Sequence, residues 1–140
     1  MMNTIRILVV DDMSSMRRLV VRFLFDLGYQ DVVEASNGNE AFALLQTQAF
    51  DLVVTDWSMP RMSGLELLQS IRKEPDLQHI PVLLITAEAR KENVIAAVRS
   101  GASGYVVKPF NMTTLGAKIE WILQRGQDIK AAHPEPRRVQ

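Results

Sequence analysis

Residues 5–12 read Ile5-Arg6-Ile7-Leu8-Val9-Val10-Asp11-Asp12, and residues 52–56 read Leu52-Val53-Val54-Thr55-Asp56. Each is a short, β-branched, mostly apolar run that stops at a carboxylate. Runs of this length predict strands buried on both faces, the habit of parallel sheets. The same pattern recurs at Val82–Ile85, which ends at Thr86, and at Tyr105–Val107, which ends at Lys108. Val32–Ala35 is a shorter candidate strand. Between these runs the period changes to that of a helix. Met16, Leu19, Val20, Phe23, Leu24 and Leu27 share one face, with Arg17, Arg18 and Arg22 on the other. Ser14 is the expected N-cap of this helix and Gly28 its stop. Gly38–Gln46 predicts a second helix, with Ala41, Leu44 and Leu45 inward. Leu65, Leu68 and Ile71 begin a third, after a loop bracketed by Pro60 and Gly64. Lys91–Ser100 predicts a fourth, stopped by Gly101, and a fifth starts near Met112 with Leu115, Ile119, Ile122 and Leu123 inward. A βα unit repeated five times implies an α/β fold: a five-stranded, doubly wound parallel sheet with right-handed crossovers.

Composition sets the outer bounds. The chain has 140 residues, 16 basic and 16 acidic, and a formal net charge of zero. That length suits one domain, here expected over residues 1–125. Residues 126–140 are polar and carry His133-Pro134-Glu135-Pro136, which cannot continue a helix. They are expected to be a solvated C-terminal tail, the alternative being an extension of the last helix through Ile129, Ala131 and Ala132. Zero net charge argues against bulk nucleic-acid binding and against a polybasic membrane anchor. No apolar run approaches the roughly 20 residues of a membrane helix. The first residues do not read as a secretory signal. The absence of cysteine excludes disulfides, thiolate metal sites and thiol nucleophiles, and fits a cytoplasmic location.

The polar residues at the strand ends are informative, because open parallel sheets bind ligands at the carboxyl ends of their strands. Asp11, Asp12, Asp56, Thr86 and Lys108 all fall on that rim. Helix capping accounts for Asp11-Asp12 alone but not for Asp56. Three converging carboxylates repel one another, so one should have a raised pKa unless a cation intervenes. A hard divalent ion such as Mg²⁺ takes carboxylate oxygens together with water or phosphate. Lys108 can neutralise an incoming phosphoryl group, and Pro109 restricts its backbone, through an extended conformation or a cis bond. The Thr86 hydroxyl can donate to a phosphoryl oxygen or satisfy a backbone group.

These residues carry a family resemblance. Val9-Val10-Asp11-Asp12, Asp56-Trp57-Ser58-Met59-Pro60, Thr86-Ala87-Glu88 and Lys108-Pro109-Phe110 resemble the receiver domains of two-component response regulators. Met16-Arg17-Arg18, Gly64–Leu68, Lys91-Glu92-Asn93 and Gly101–Phe110 resemble the single-domain, CheY-like chemotaxis receivers in particular. The resemblance spans roughly residues 5–124. It implies a flavodoxin-like (βα)5 receiver, a signalling phosphoacceptor rather than a conventional enzyme. Asp56 would accept a phosphoryl group from a sensor histidine kinase. Asp12, Asp56 and the Ser58 backbone carbonyl would bind Mg²⁺, with Asp11 assisting through water. Lys108 and Thr86 would contact the phosphoryl oxygens, and Thr86 and Tyr105 would form the switch pair. Ala89, Lys91, Val94, Tyr105, Val107 and Lys118 would form an output face for a flagellar motor switch protein. A phosphatase is a further implied partner, and the expected state is a monomer. Another signalling pathway, or a receiver separated from an effector domain, is the alternative.

Two residues depart from the resemblance. Ser58 stands where Asn is frequent, beside the path of the attacking water. Gly116 lies inside the last helix, where it is expected either to loosen the output face or to admit a partner. A Mg²⁺-dependent phosphatase of the haloacid dehalogenase type would need an Asp-x-Asp nucleophile after the first strand, whereas Asp11 and Asp12 are adjacent. A flavin carrier would need a phosphate loop there, and two carboxylates would repel the phosphate.

Overall fold

A computed structural model of the protein describes residues 3–87 and 90–132. Ten elements alternate strictly: β1 Asn3–Val10, α1 Ser14–Asp26, β2 Tyr29–Ala35, α2 Gly38–Thr47, β3 Leu52–Asp56, α3 Gly64–Lys73, β4 Val82–Thr86, α4 Lys91–Arg99, β5 Gly104–Val107 and α5 Met112–Ala132. The strands form one parallel sheet in the order β2-β1-β3-β4-β5. Chain order reverses at β1, so the loops after β1 and β3 part there and open a crevice at their carboxyl ends.

Side-chain alternation along the strands divides the interior into two cores. Leu8 and Val10 of β1 pack with Val53, Leu84, Ala41, Leu45, Leu67, Leu68, Ile71 and Ala97, under α2, α3 and α4. Ile7 and Val9 face the other way, with Val54, Ile85, Val106, Val20, Leu24, Leu115 and Ile119, under α1 and α5. Every residue of β3 and β4 is buried. Each fully buried Leu or Ile side chain contributes roughly 1.5–3 kcal/mol, so these two strands anchor both layers.

Local signals set the helix ends. Asn37 Oδ1 accepts the Glu40 amide at 2.8 Å, starting α2. Ser63 and Glu66 form a reciprocal capping box at α3, each bond 3.1 Å. Asn111 Oδ1 accepts the Thr114 amide at 2.8 Å at the head of α5. Gly28, with φ of +99°, turns the chain out of α1. Ser14, the expected N-cap of α1, is instead its first helical residue. Met13 holds the cap position without a side-chain bond, and Asp11 Oδ1 accepts the Met13 amide at 2.9 Å. The Asp11 bond orders the turn that leads into α1 rather than capping its first amides.

α5 runs through Gly126 to Ala132, the extension of the last helix given as the alternative to a tail. Gly116 is buried against the end of α1: a Cβ at this position would lie 2.8 Å from Leu27 Cδ2. The glycine lets α5 approach the end of α1.

Candidate functional site

The strand ends place the rim residues. β1 delivers Asp11, whose amide donates to the Ala35 carbonyl of β2 at 3.2 Å. β3 ends in Asp56, and the Trp57 amide is held by the Ile85 carbonyl of β4 at 2.8 Å. The loop after Asp56 folds back tightly: the Gly64 amide donates to the Trp57 carbonyl at 2.8 Å. A Cβ at Gly64 would collide with the Asp56 carbonyl oxygen, so glycine permits this close approach. Arg61 occupies the left-handed region within the same loop, with φ of 69°.

One carboxylate oxygen from each of Asp11, Asp12 and Asp56 lies within 4.8 Å of the others. Asp11 and Asp56 are buried, whereas Asp12 is exposed. Lys108 Nζ meets Asp56 Oδ1 at 2.7 Å, and the Lys108 amide donates to the Thr86 carbonyl at 2.8 Å. The Lys108–Pro109 peptide is cis. Thr86 is buried beside them. All five rim residues expected from the sequence therefore share one crevice, while Ser58, two residues beyond Asp56, is exposed.

The electrostatics are unbalanced. Asp11 is pushed above the ordinary carboxylate range, first by burial and then by the charges of Asp56 and Asp12, against the lowering effects of the Met13 amide and Lys108. Repulsion was the expected cause; burial comes first. The donor set is all oxygen, with no histidine among the three, and carries more negative charge than Lys108 offsets. It can hold a hard metal cation, whose charge would supply the missing compensation.

The expected switch residues share one face. Leu84 pairs with Tyr105 and Thr86 with Val107 across β4 and β5. Ile85 and Val106 enter the α1/α5 core, so by alternation Thr86, Tyr105 and Val107 face the α4 side. Tyr105 is half-buried against that core, and Lys118 Nζ lies 5.8 Å from its ring centroid. Lys91 is exposed and Val94 half-buried on α4. Ala89 lies outside the described residues. The sequence reading missed the exposed apolar residues next to them: Ile95, Val98 and Trp121 are 40%, 64% and 51% exposed. The signal was present, since Val94, Ile95, Ala97 and Val98 are too many apolar residues for one buried stripe, and only Ala97 is buried.

The family described as "Response regulator receiver domain" matches residues 7–120. The chain belongs to this family. It is a phosphorelay response-regulator receiver, homologous to CheY chemotaxis regulators. The chemotaxis protein CheY-3 of Vibrio cholerae is 49% identical over 120 residues, spanning 86% of this chain and 92% of that one. The chemotaxis protein CheY of Pseudomonas aeruginosa is 47% identical over 120 residues, spanning 86% and 97%. Among solved structures, Vibrio cholerae CheY4 superposes with a TM-score of 0.81 at 36% identity, over 86% of this chain and all of that one. A CheY-like receiver from Methanospirillum hungatei gives 0.82 at 29% identity, over 91% and 99%. As a receiver the chain is a signalling regulator, with an acidic pocket suited to a metal ion. No helix among the described residues is long and apolar enough to cross a membrane.

Proposed function

We propose that the receiver domain, residues 1–125, is a monomeric cytoplasmic phospho-switch that takes a phosphoryl group on Asp56 from a phosphohistidine of a sensor kinase. The observation that carries this reading is Lys108 Nζ at 2.7 Å from Asp56 Oδ1, inside a crevice already lined by Asp11 and Asp12. An Asp56 carboxylate oxygen bonds to phosphorus as the P–N bond breaks, and the departing imidazole nitrogen takes the electron pair. Such transfer is mostly positioning and charge neutralisation, so the receiver promotes its own modification. Lys108 stands ready to pair with a phosphoryl oxygen once Asp56 loses its charge, and Thr86 offers a hydroxyl donor to another. Asp12, Asp56 and the Ser58 carbonyl would hold Mg²⁺, with Asp11 reaching it through water. When bound, Mg²⁺ supplies positive charge against the phosphoryl oxygens.

The readout follows from the shared face. Drawing Thr86 toward a phosphoryl group frees room on the α4 side of β4 and β5, next to the half-buried Tyr105. An inward Tyr105 then alters the surface made by Ala89, Lys91, Val94, Val107 and Lys118. The relatives named as chemotaxis proteins favour a flagellar motor switch protein as the partner on that surface. Loss of the signal is hydrolysis of the acyl phosphate, assisted or not by a phosphatase, with Ser58 at the mouth of the water path.

Incubation with Mg²⁺ and acetyl phosphate, followed by intact-mass measurement, tests the central step. Wild type gains one phosphoryl mass and Asp56→Ala does not. Equal labelling of the two proteins would sink the assignment.

A further inference from the structure

At the opposite end of β4 and β5 from Asp56 lies a second concavity, of ≈550 Å³. Pro81 and Gly104, which open the two strands, belong to its lining, so it is separate from the rim described above. Among the described residues, four basic side chains line it, Arg72, His79, Lys118 and Arg125, and no carboxylate does. None of the four forms an ion pair with a described carboxylate, unlike Arg6 with Asp31, Arg17 with Glu34 and Lys108 with Asp56. Lys118 and Arg125 rest on ring faces instead. Lys118 lies over Tyr105, and the Arg125 guanidinium carbon is 4.9 Å from the Trp121 ring centroid.

Arg72 is the most informative member. Its Nε donates to the Gly101 carbonyl at 3.0 Å, and its Nη1 to the Gln78 and Ile80 carbonyls at 3.1 and 2.6 Å. Those bonds fix the guanidinium without neutralising it. Its Nη2 makes no hydrogen bond to any described residue. Burial pushes its pKa down, and no nearby acid opposes that effect. Beside these cations stands Trp121, a large ring half in solvent.

We propose that this concavity binds a small organic anion bearing a planar ring, of the nucleotide class. The anionic group answers the uncompensated cluster of Arg72, Lys118 and Arg125. The ring stacks on Trp121, where Arg125 now lies. A cavity of this size suits a ligand of nucleotide dimensions, since small-molecule sites run about 300–1,000 Å³. Because Tyr105 and Lys118 belong both to this lining and to the proposed output face, occupancy would compete with a protein partner there.

The test uses the full chain in EDTA, with ATP, pyrophosphate, adenosine and a short oligo-glutamate as probes. NMR follows the indole N–H signals of Trp121 and Trp57, assigned by Trp121→Phe. ATP is expected to shift the Trp121 signal saturably and leave Trp57 in place. Pyrophosphate should bind more weakly, and adenosine not measurably. Arg125→Glu, a change at an exposed side chain, should weaken ATP by about tenfold or more, as loss of a charge-assisted contact implies. Its labelling by acetyl phosphate should stay as in wild type, which separates this site from Asp56. The proposal is overturned by no shift at millimolar ATP, by a shift at Trp57 alone, by unchanged affinity in Arg125→Glu, or by oligo-glutamate binding as well as ATP. The last result would mark a surface for acidic protein segments.

Discussion

Replacing Asp11 by Asn should stabilise the protein when no divalent cation is bound. Asn keeps the Oδ1 acceptor that the Met13 amide uses at 2.9 Å, so the start of α1 survives. What disappears is a buried negative charge beside Asp12 and Asp56, within 4.8 Å. At an effective dielectric near 20, each such like-charge pair costs about 3.5–4 kcal/mol. Lys108, already paired with Asp56, offsets part of this, and the exposure of Asp12 screens another part. A net gain of about 1–2 kcal/mol remains, a rise of roughly 3–6 °C in melting temperature for a domain of this size. The pH dependence has a definite sign. The folded-state pKa of Asp11 is raised, so folding favours its protonated form. Wild type therefore gains stability as pH falls through that raised value toward the unfolded value, and Asp11→Asn lacks this gain. The difference between the two proteins should be largest at neutral pH and shrink with acidification. Saturating Mg²⁺ should also narrow it by stabilising wild type more. Melts by circular dichroism in EDTA across this range decide the matter. A variant less stable than wild type at neutral pH would refute the charge argument and make Asp11 a structural residue.

Other substitutions probe single contacts. Gly64→Ala should destabilise by about 1–3 kcal/mol, since its Cβ would strike the Asp56 carbonyl; denaturant unfolding measures it, and a neutral result would mean the loop can move aside. Gly116→Ala should cost less than Gly64→Ala, because its Cβ meets a Leu27 methyl rather than backbone and alanine returns about 1 kcal/mol of helix propensity. It should leave partner binding intact, whereas a selective loss of binding would return Gly116 to the output face. Lys91→Ala should weaken binding to a motor-switch peptide without changing acetyl phosphate labelling, and unchanged affinity by fluorescence anisotropy would remove Lys91 from that surface.

The sheet was legible because its central strands are buried on both faces. Runs such as Leu52–Thr55 and Val82–Ile85 need no alternation, and their polar ends announce the rim. The edge strand β2 was less so: it begins at Tyr29, three residues before the reading from Val32, because Gln30 and Asp31 face solvent. The five rim residues were found because strand ends alone dictate where they converge. Features that depend on contacts distant in sequence stayed hidden. Nothing in the chain tells that Gly116 makes room for Leu27. Nor could spacing reveal Arg72, a helix residue that gathers carbonyls from two other loops.

β3 and β4 are paired on both sides and wholly buried, whereas β5 is a four-residue edge strand with one neighbour. Amides of β3 and β4 should therefore exchange with solvent only when the whole domain opens, and those of β5 through smaller, cheaper openings. Asp56 and Thr86 end the two stiff strands; Tyr105 rides on the soft one. On the proposed function, the chemistry would sit on strands that open only with the whole domain, and the readout on one that little free energy is needed to reshape.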